Sequence, residues 1–259
     1  MKERLITAIC LLAVVLPVIY FGGQVFNVLL GITAIIAVWE LIKMREAKEK
    51  APLLIKLITF AGVAIAILIN PLARALYWNN FIIAGLLIIN FFNHRRGKAD
   101  TSFYILVICY IGMAFRALLQ IRTHSLMLFI FLIATVILTD TAAYFVGRLL
   151  GKKKLAPVIS PNKTIAGAVG GWLVGAGFAI TFGLIAGLFN ESWVLIALAV
   201  GLPPLSQAGD LIASALKRQH GIKDYGKIFP GHGGVMDRVD SQLLAAMLIY
   251  AMMLIGGVV

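Results

Sequence analysis

The sequence predicts an all-α polytopic membrane protein of about nine transmembrane helices, with its N-terminus in the cytoplasm and its C-terminus on the opposite side. Three features lead there. Of 259 residues, 61% are hydrophobic and 13% charged, with a mean hydropathy of +0.97; soluble domains are about half apolar and about a quarter charged. Apolar runs long enough to cross a bilayer as helices recur along the whole chain. The Lys and Arg residues then fall almost wholly on one side of those spans.

In order, the runs lie near 5–21, 25–42, 53–69, 75–92, 103–121, 126–149, 165–189, 193–216 and 241–258. The first follows Lys2 and Arg4. It is long for a signal peptide and no Ala-x-Ala-type site follows it, so it reads as a retained helix. The third run carries Lys56 and the fifth carries Arg116. A charge inside a span is expected to face protein or the interface rather than lipid. The fourth run is the weakest, because Asn79 and Asn80 interrupt it; removing it would scramble the charge alternation. With nine spans, 19 of the 23 basic residues face the cytoplasm. They are Lys2 and Arg4; Lys43, Arg45, Lys48 and Lys50; Arg95, Arg96 and Lys98; and the clusters from Arg148 to Lys163 and from Lys217 to Arg238. Only Arg74 and Arg122 fall on the other side. In the eighth run, Pro203 and Pro204 are expected to break or kink the helix. Cys10 and Cys109 sit in apolar runs and read as buried small hydrophobes, not as a disulfide or a metal site.

The net charge of +12 fits loops that meet anionic lipid headgroups, and it is not read as a nucleic-acid footprint. The chain divides into an N-terminal transmembrane scaffold of about five helices, residues 1–125, and a C-terminal catalytic region, residues 126–259, whose polar loops are cytoplasmic. No soluble domain and no fixed-period repeat is visible.

The polar chemistry gathers in four places. Asp140 and Tyr144, four residues apart late in the sixth run, share a helix face, and an intramembrane carboxylate is a functional candidate by default. The stretch 152–164 reads as a loop. Its three lysines, Lys152 to Lys154, serve either as a membrane anchor or as a substrate contact. Ser160, Asn162 or Thr164 is suited to cap the next helix, whose start makes an anion site with Lys163. The glycines that follow, Gly167, Gly170, Gly171, Gly175 and Gly177, read as close helix packing; with no strand before them they are no nucleotide loop. In the eighth run Asp210, Ser214 and Lys217 fall on one face. The fourth place is the loop 223–240. Gly231, Gly233 and Gly234 flank His232 and allow close backbone approach. Asp237 and Asp240, with Arg238 between them, open the ninth run either as dipole caps or, with Asp210, as a hard-cation site; Mg²⁺ takes one or two carboxylates plus phosphates and water. His232 is open between acid/base, phosphate contact and loop structure.

From Ser214 to Asp240 the chain holds five Lys/Arg, three Asp, two His and five Gly in 27 residues. The pattern Ser214-x-Leu216-Lys217-Arg218-x4-Lys223-Asp224-x-Gly226-x2-Phe229-Pro230-x-His232-Gly233-Gly234-x2-Asp237-Arg238-x-Asp240 resembles the signature of the phosphatidate cytidylyltransferases, also called CDP-diacylglycerol synthases. Asp140-Thr141-x-Ala143-Tyr144, Leu155-Ala156-Pro157 and Ser160-Pro161-x-Lys163-Thr164 resemble the same family. The motifs cover the C-terminal half, and the N-terminal half agrees in hydropathy and position.

The resemblance implies an integral membrane nucleotidyltransferase, often a homodimer, of a bacterial inner membrane with its active site facing the cytoplasm. It would join CTP and phosphatidic acid into CDP-diacylglycerol and pyrophosphate, using Mg²⁺ and also a monovalent cation such as K⁺. Metal ligands would be Asp210 and Asp237, with Asp240 alongside. Lys217, Arg218, Lys223 and Arg238 would meet phosphates. Ser160, Lys163 and Thr164 would hold the second phosphate-bearing substrate. Asp140, Tyr144, Asp224, His232, Gly233 and Gly234 complete the expected substrate site. Ala166 and Ala213 depart from the pattern, standing where acidic residues are common, which raises a weakly active family member as an alternative. A CTP-dependent polyprenol-type lipid kinase is another, using the same charges at the γ-phosphorus. An anion transporter is less consistent, because the polar groups crowd to one side and no two-half symmetry is visible.

Overall fold

The computed structural model describes residues 2–47, 50–94, 101–189 and 191–256. Lys48, Arg95, Arg96 and Lys98, part of the charge bias above, lie outside the described residues. Nine helices occur among those residues: α1 (Lys2–Phe21), α2 (Gly23–Glu46), α3 (Leu53–Leu68), α4 (Leu72–His94), α5 (Ser102–His124), α6 (Leu126–Leu150), α7 (Ile165–Ile185), α8 (Ser192–Gln219) and α9 (Met236–Ile255). The stretch expected as a loop after α6 forms instead a small antiparallel hairpin, β1 (Lys154–Ala156) and β2 (Ser160–Thr164). Lys154 stands opposite Thr164 and Ala156 opposite Ser160. The fold is that of an all-α polytopic membrane protein, and the chain is an integral membrane protein. Seven helices are long and apolar enough to cross a bilayer, while the apolar part of α1 (Ile9–Phe21) and α3 are shorter. Asn79 and Asn80 do not interrupt α4.

Two compact units form, one of Met1–Leu119 with Asp224–Arg238, the other of Gln120–Lys223 with Val239–Val259. In the first, α1 and α2 meet at Gly22 and Gly23, whose φ values of 65° and 58° glycine tolerates best. Arg116 of α5 is buried, as the sequence predicts for a charge in a span. Its guanidinium donates to the carbonyls of Ala66 (2.9 Å) and Ile69 (2.7 Å) and to Asn70 Oδ1 (2.7 Å). It thereby satisfies carbonyls that the end of α3 leaves open. Lys56 likewise finds a protein partner, Glu46. Cys10 and Cys109 are exposed rather than buried, because an apolar helix face in a membrane protein is as well suited to lipid as to a core.

In the second unit, α6 and α7 lie against each other along a seam of glycines. A Cβ on Gly167 would stand 2.5 Å from the Ala143 carbonyl oxygen. On Gly170 it would strike Val146, and on Gly171 it would stand 2.7 Å from the Thr139 carbonyl oxygen. The packing role read for these glycines holds, and Gly175 belongs with them, but Gly177 has nothing within 4 Å. α8 runs unbroken through Pro203 and Pro204, against the expected break. Pro204 has no N–H to offer the Val200 carbonyl, and the Trp172 indole N–H donates to that oxygen at 3.0 Å. A neighbouring helix supplies the donor that proline removes, so the helix persists.

Candidate active site

In the second unit three chain segments bring charge together. β2 carries Lys163, α8 carries Asp210 and α6 carries Asp140. Lys163 Nζ lies 2.6 Å from Asp210 Oδ2. That nitrogen is buried and has no other hydrogen-bond partner in the structure, while the two side chains remain 25% and 30% exposed. The Ser214 hydroxyl, one turn along α8, donates to Asp210 Oδ1 at 3.3 Å. Asp140 is half-buried, with Lys163, Asp210 and the Ser241 hydroxyl within electrostatic reach of its carboxylate. Local sequence explains how β2 delivers its lysine. Thr164 caps α7, its hydroxyl accepting from the Gly167 amide at 3.1 Å. The Ile165 amide donates to the Lys153 carbonyl at 3.0 Å, tying the helix start to the hairpin.

Thr164, expected among substrate contacts, is buried in this cap. Of the three capping candidates it is the one used. Ser160 is half-buried at the start of β2, and Lys217 is buried in α8, at 8% exposure. Arg218 and Lys223 are exposed, with an Arg218 guanidinium N–H donating to the Ile222 carbonyl at 3.0 Å. Tyr144 is 60% exposed; its hydroxyl accepts from an Arg148 guanidinium N–H at 3.4 Å, and its ring meets Phe145 edge-on. Asp240 is buried, and its Oδ1 accepts from the Ser241 amide at 2.8 Å. Ala213 is buried on α8.

The signature loop belongs to the first unit. Phe229 and Gly233 bridge across a tight turn, with the Phe229 amide donating to the Gly233 carbonyl and the His232 amide to the Phe229 carbonyl. Gly231 and Gly233 take φ values of 73° and 83° there, which explains those two glycines. His232 Nδ1 is buried with no hydrogen-bond partner in the structure. Asp237 Oδ2 accepts from the Tyr225 amide (2.8 Å) and the Gly234 amide (2.9 Å), so this carboxylate closes the loop on itself. Asp224 and Arg238 are exposed.

Sequence reasoning missed Glu40. This glutamate of α2 is fully buried, at 0% exposure. Its Oε1 accepts from the Val235 amide at 3.0 Å and its Oε2 from the Met236 amide at 2.8 Å. The signal was present, since Glu40 is an acidic residue inside an apolar span. The Thr7 hydroxyl of α1 also donates to the Pro230 carbonyl, at 3.2 Å. The N-terminal helices, read above as plain scaffold, therefore hold the signature loop.

Among the described residues no three His, Cys, Asp or Glu side chains converge as a metal cage. The donor set still fits Mg²⁺, which takes one or two carboxylates and completes its shell with water and substrate phosphates. Asp210 already folds against a cation, the Lys163 ammonium.

The second unit thus presents a half-buried lysine–aspartate pair among apolar helices, and the comparisons with known proteins define its class, a membrane nucleotidyltransferase. The profile of the cytidylyltransferase family matches residues 2–255, and the chain belongs to that family. It is 35% identical over 253 residues to a phosphatidate cytidylyltransferase of Staphylococcus saprophyticus, and 36% identical to one of Staphylococcus epidermidis. Each alignment covers 93% of this chain and 94% of the relative. One from Staphylococcus aureus is 34% identical over 245 residues, with the same shares covered.

Proposed function

We propose that the protein transfers CMP from CTP to phosphatidic acid, giving CDP-diacylglycerol and pyrophosphate. The observation that carries this reading is the Lys163–Asp210 pair beside Asp140, on a chain that aligns nearly end to end with proteins named phosphatidate cytidylyltransferase. An oxygen of the lipid phosphate attacks the α-phosphorus of CTP in line. The new P–O bond forms as the bond to the bridging oxygen of the β-phosphate breaks, and pyrophosphate leaves with that electron pair. The attacking oxygen is already ionised at neutral pH, so no strong base is needed. The rate rests on alignment and on neutralising charge.

Lys163 exchanges its carboxylate partner for a substrate phosphate. Lys217, Arg218, Lys223 and Arg238 meet the pyrophosphate and the lipid headgroup. Ser160 and the unpartnered His232 Nδ1 add neutral contacts. When bound, Mg²⁺ would lower the charge on the triphosphate oxygens; its proposed ligands are Asp210 and Asp237, with Asp240 as a further carboxylate and K⁺ as a companion ion. Acyl chains stay in the bilayer, which accounts for a nucleotide enzyme built almost entirely of apolar helices.

Labelled CTP, phosphatidic acid and Mg²⁺ given to detergent-purified protein test this, with both product phases resolved. CDP-diacylglycerol with pyrophosphate is expected; lipid phosphate with CDP would replace the reading with a kinase. The proposed topology, nine spans with the N-terminus cytoplasmic in a bacterial inner membrane, is checked by replacing Cys10 and Cys109 with alanine and labelling single cysteines placed at 3 and 190 in sealed cells. The proposed homodimer is checked by mass measurement in nanodiscs.

A further inference from the structure

We infer that Glu40 is the positioning residue of the signature loop, an internal anion on α2 that occupies the start of α9 and thereby sets where Asp237 stands. The first amides of a helix have no partners within it and attract negative charge. At α9 two of them, Val235 and Met236, are both taken by the Glu40 carboxylate, at 3.0 and 2.8 Å. The helix start is thus occupied by a protein carboxylate.

The same carboxylate shapes the loop sterically. A Cβ on Gly234 would collide with Glu40 Oε1, and would stand 2.6 Å from both its Cδ and Oε2; a Cβ on Gly226 would meet Glu40 as well. Gly234 does not have a positive φ, so its backbone accepts alanine. What demands glycine there is the carboxylate. At two residues of the signature, Gly226 and Gly234, a Cβ would therefore press on Glu40, although it lies nearly 200 residues away in sequence; at Gly226 it would also stand 3.2 Å from the Gly234 Cα. The chain of contacts continues directly. Gly234, pressed against Glu40, donates its own amide to Asp237 Oδ2 at 2.9 Å, and Tyr225 donates to the same oxygen at 2.8 Å. Both carboxylates grip one short run of backbone from opposite ends. A neutral amide cannot replace Glu40, because glutamine offers one acceptor oxygen where two N–H groups point.

The consequence for catalysis rests on the proposed function, whereas the consequence for the loop does not. Hydrogen–deuterium exchange on the full chain in nanodiscs, without metal or substrate, reads the loop alone. Glu40→Gln is expected to speed exchange across 224–238 at least tenfold and leave the segments 126–150 and 192–219 at wild-type rates. In the assay above, kcat should fall at least tenfold and the Mg²⁺ concentration for half-maximal rate should rise, while the KM for CTP stays within threefold. Gly234→Ala should show the same loop defect, and Glu40→Asp, whose carboxylate is one methylene shorter, should restore at least part of what Gly234→Ala loses. Unchanged loop exchange in Glu40→Gln would overturn the inference, as would uniform loosening of the whole protein or no coupling between positions 40 and 234. Wild-type protein that makes no CDP-lipid, with loop exchange still controlled by Glu40, would sink the proposed reaction and leave this inference standing.

Discussion

Asp210 and Glu40 are both carboxylates inside apolar helices, and their surroundings set them apart. Asp210 is paired with a lysine side chain, and both partners keep about a quarter to a third of their surface exposed. Glu40 has no surface at all, and its partners are backbone amides. A lysine on a flexible stem can turn to another anion, and the carboxylate it leaves can take another cation. Backbone amides at a helix start cannot turn away. On the proposed reading the first carboxylate is exchangeable, as binding requires, while the second is held by fixed backbone donors. Buried charge in a membrane protein does not by itself tell chemistry from scaffolding; the mobility of the partner does.

The largest effect should come from removing the exchangeable charge. Asp210→Asn keeps the volume and is expected to lower kcat/KM roughly hundredfold or more, in the range seen when a single charge-stabilising group is lost. The thermal midpoint should stay close to wild type, since the site remains partly open. A collapse of folding instead of activity would erase the contrast with Glu40. Lys163→Met should follow with a smaller loss, about ten- to hundredfold, and mainly as a raised KM. Lys163→Arg should recover part of that loss, because it keeps a cation at the Asp210 carboxylate. Steady-state kinetics in mixed micelles separate these outcomes.

How much of this was visible in the sequence depends on the kind of contact. Helix existence and order were legible because each helix must be apolar over its own length, a local property. Lys163 and Asp210 were legible as candidates, since a lysine before a helix and an aspartate within one announce themselves singly. Their pairing was not, because it depends on a hairpin at 154–164 that the Lys and Pro content made look like a loop. The unbroken α8 was hidden for a similar reason: the donor that rescues Val200 comes from Trp172, a residue on another helix. Glu40 itself was visible as an acid inside an apolar span, but its role was not, because its partners are amides, which carry no side-chain signature. Gly226 and Gly234 recorded its presence indirectly, as residues with no room for a methyl group.

How Asp140 sits relative to the Lys163–Asp210 pair depends on how closely α6 and α7 approach, since α6 carries Asp140 and β2, which carries Lys163, runs straight into α7. Gly171→Val should force them apart, because the new side chain would begin 2.7 Å from the Thr139 carbonyl oxygen. Overpacking of this kind costs about 1–3 kcal/mol, read as a lower thermal midpoint with activity reduced in step. Gly177→Ala, on the same helix with open space around it, should stay within about 0.5 kcal/mol of wild type.

The smallest effect on activity is expected at Tyr144, which the sequence placed with Asp140 on one helix face. That face is shared, but Tyr144 is 60% exposed and, among the described residues, its hydroxyl meets Arg148 alone, at 3.4 Å, while Lys163, Asp210 and the Ser241 hydroxyl lie within electrostatic reach of Asp140. Two residues one turn apart thus point to different surroundings, one toward the exchangeable pair and one outward. Tyr144→Phe removes a hydroxyl that fixes nothing in the cluster, so kcat and both KM values should change less than about twofold, within the range of a weak exposed contact. A tenfold rise in the KM for phosphatidic acid would show that the exposed ring meets the lipid, and would move the boundary of the exchangeable region outward by a full helical turn.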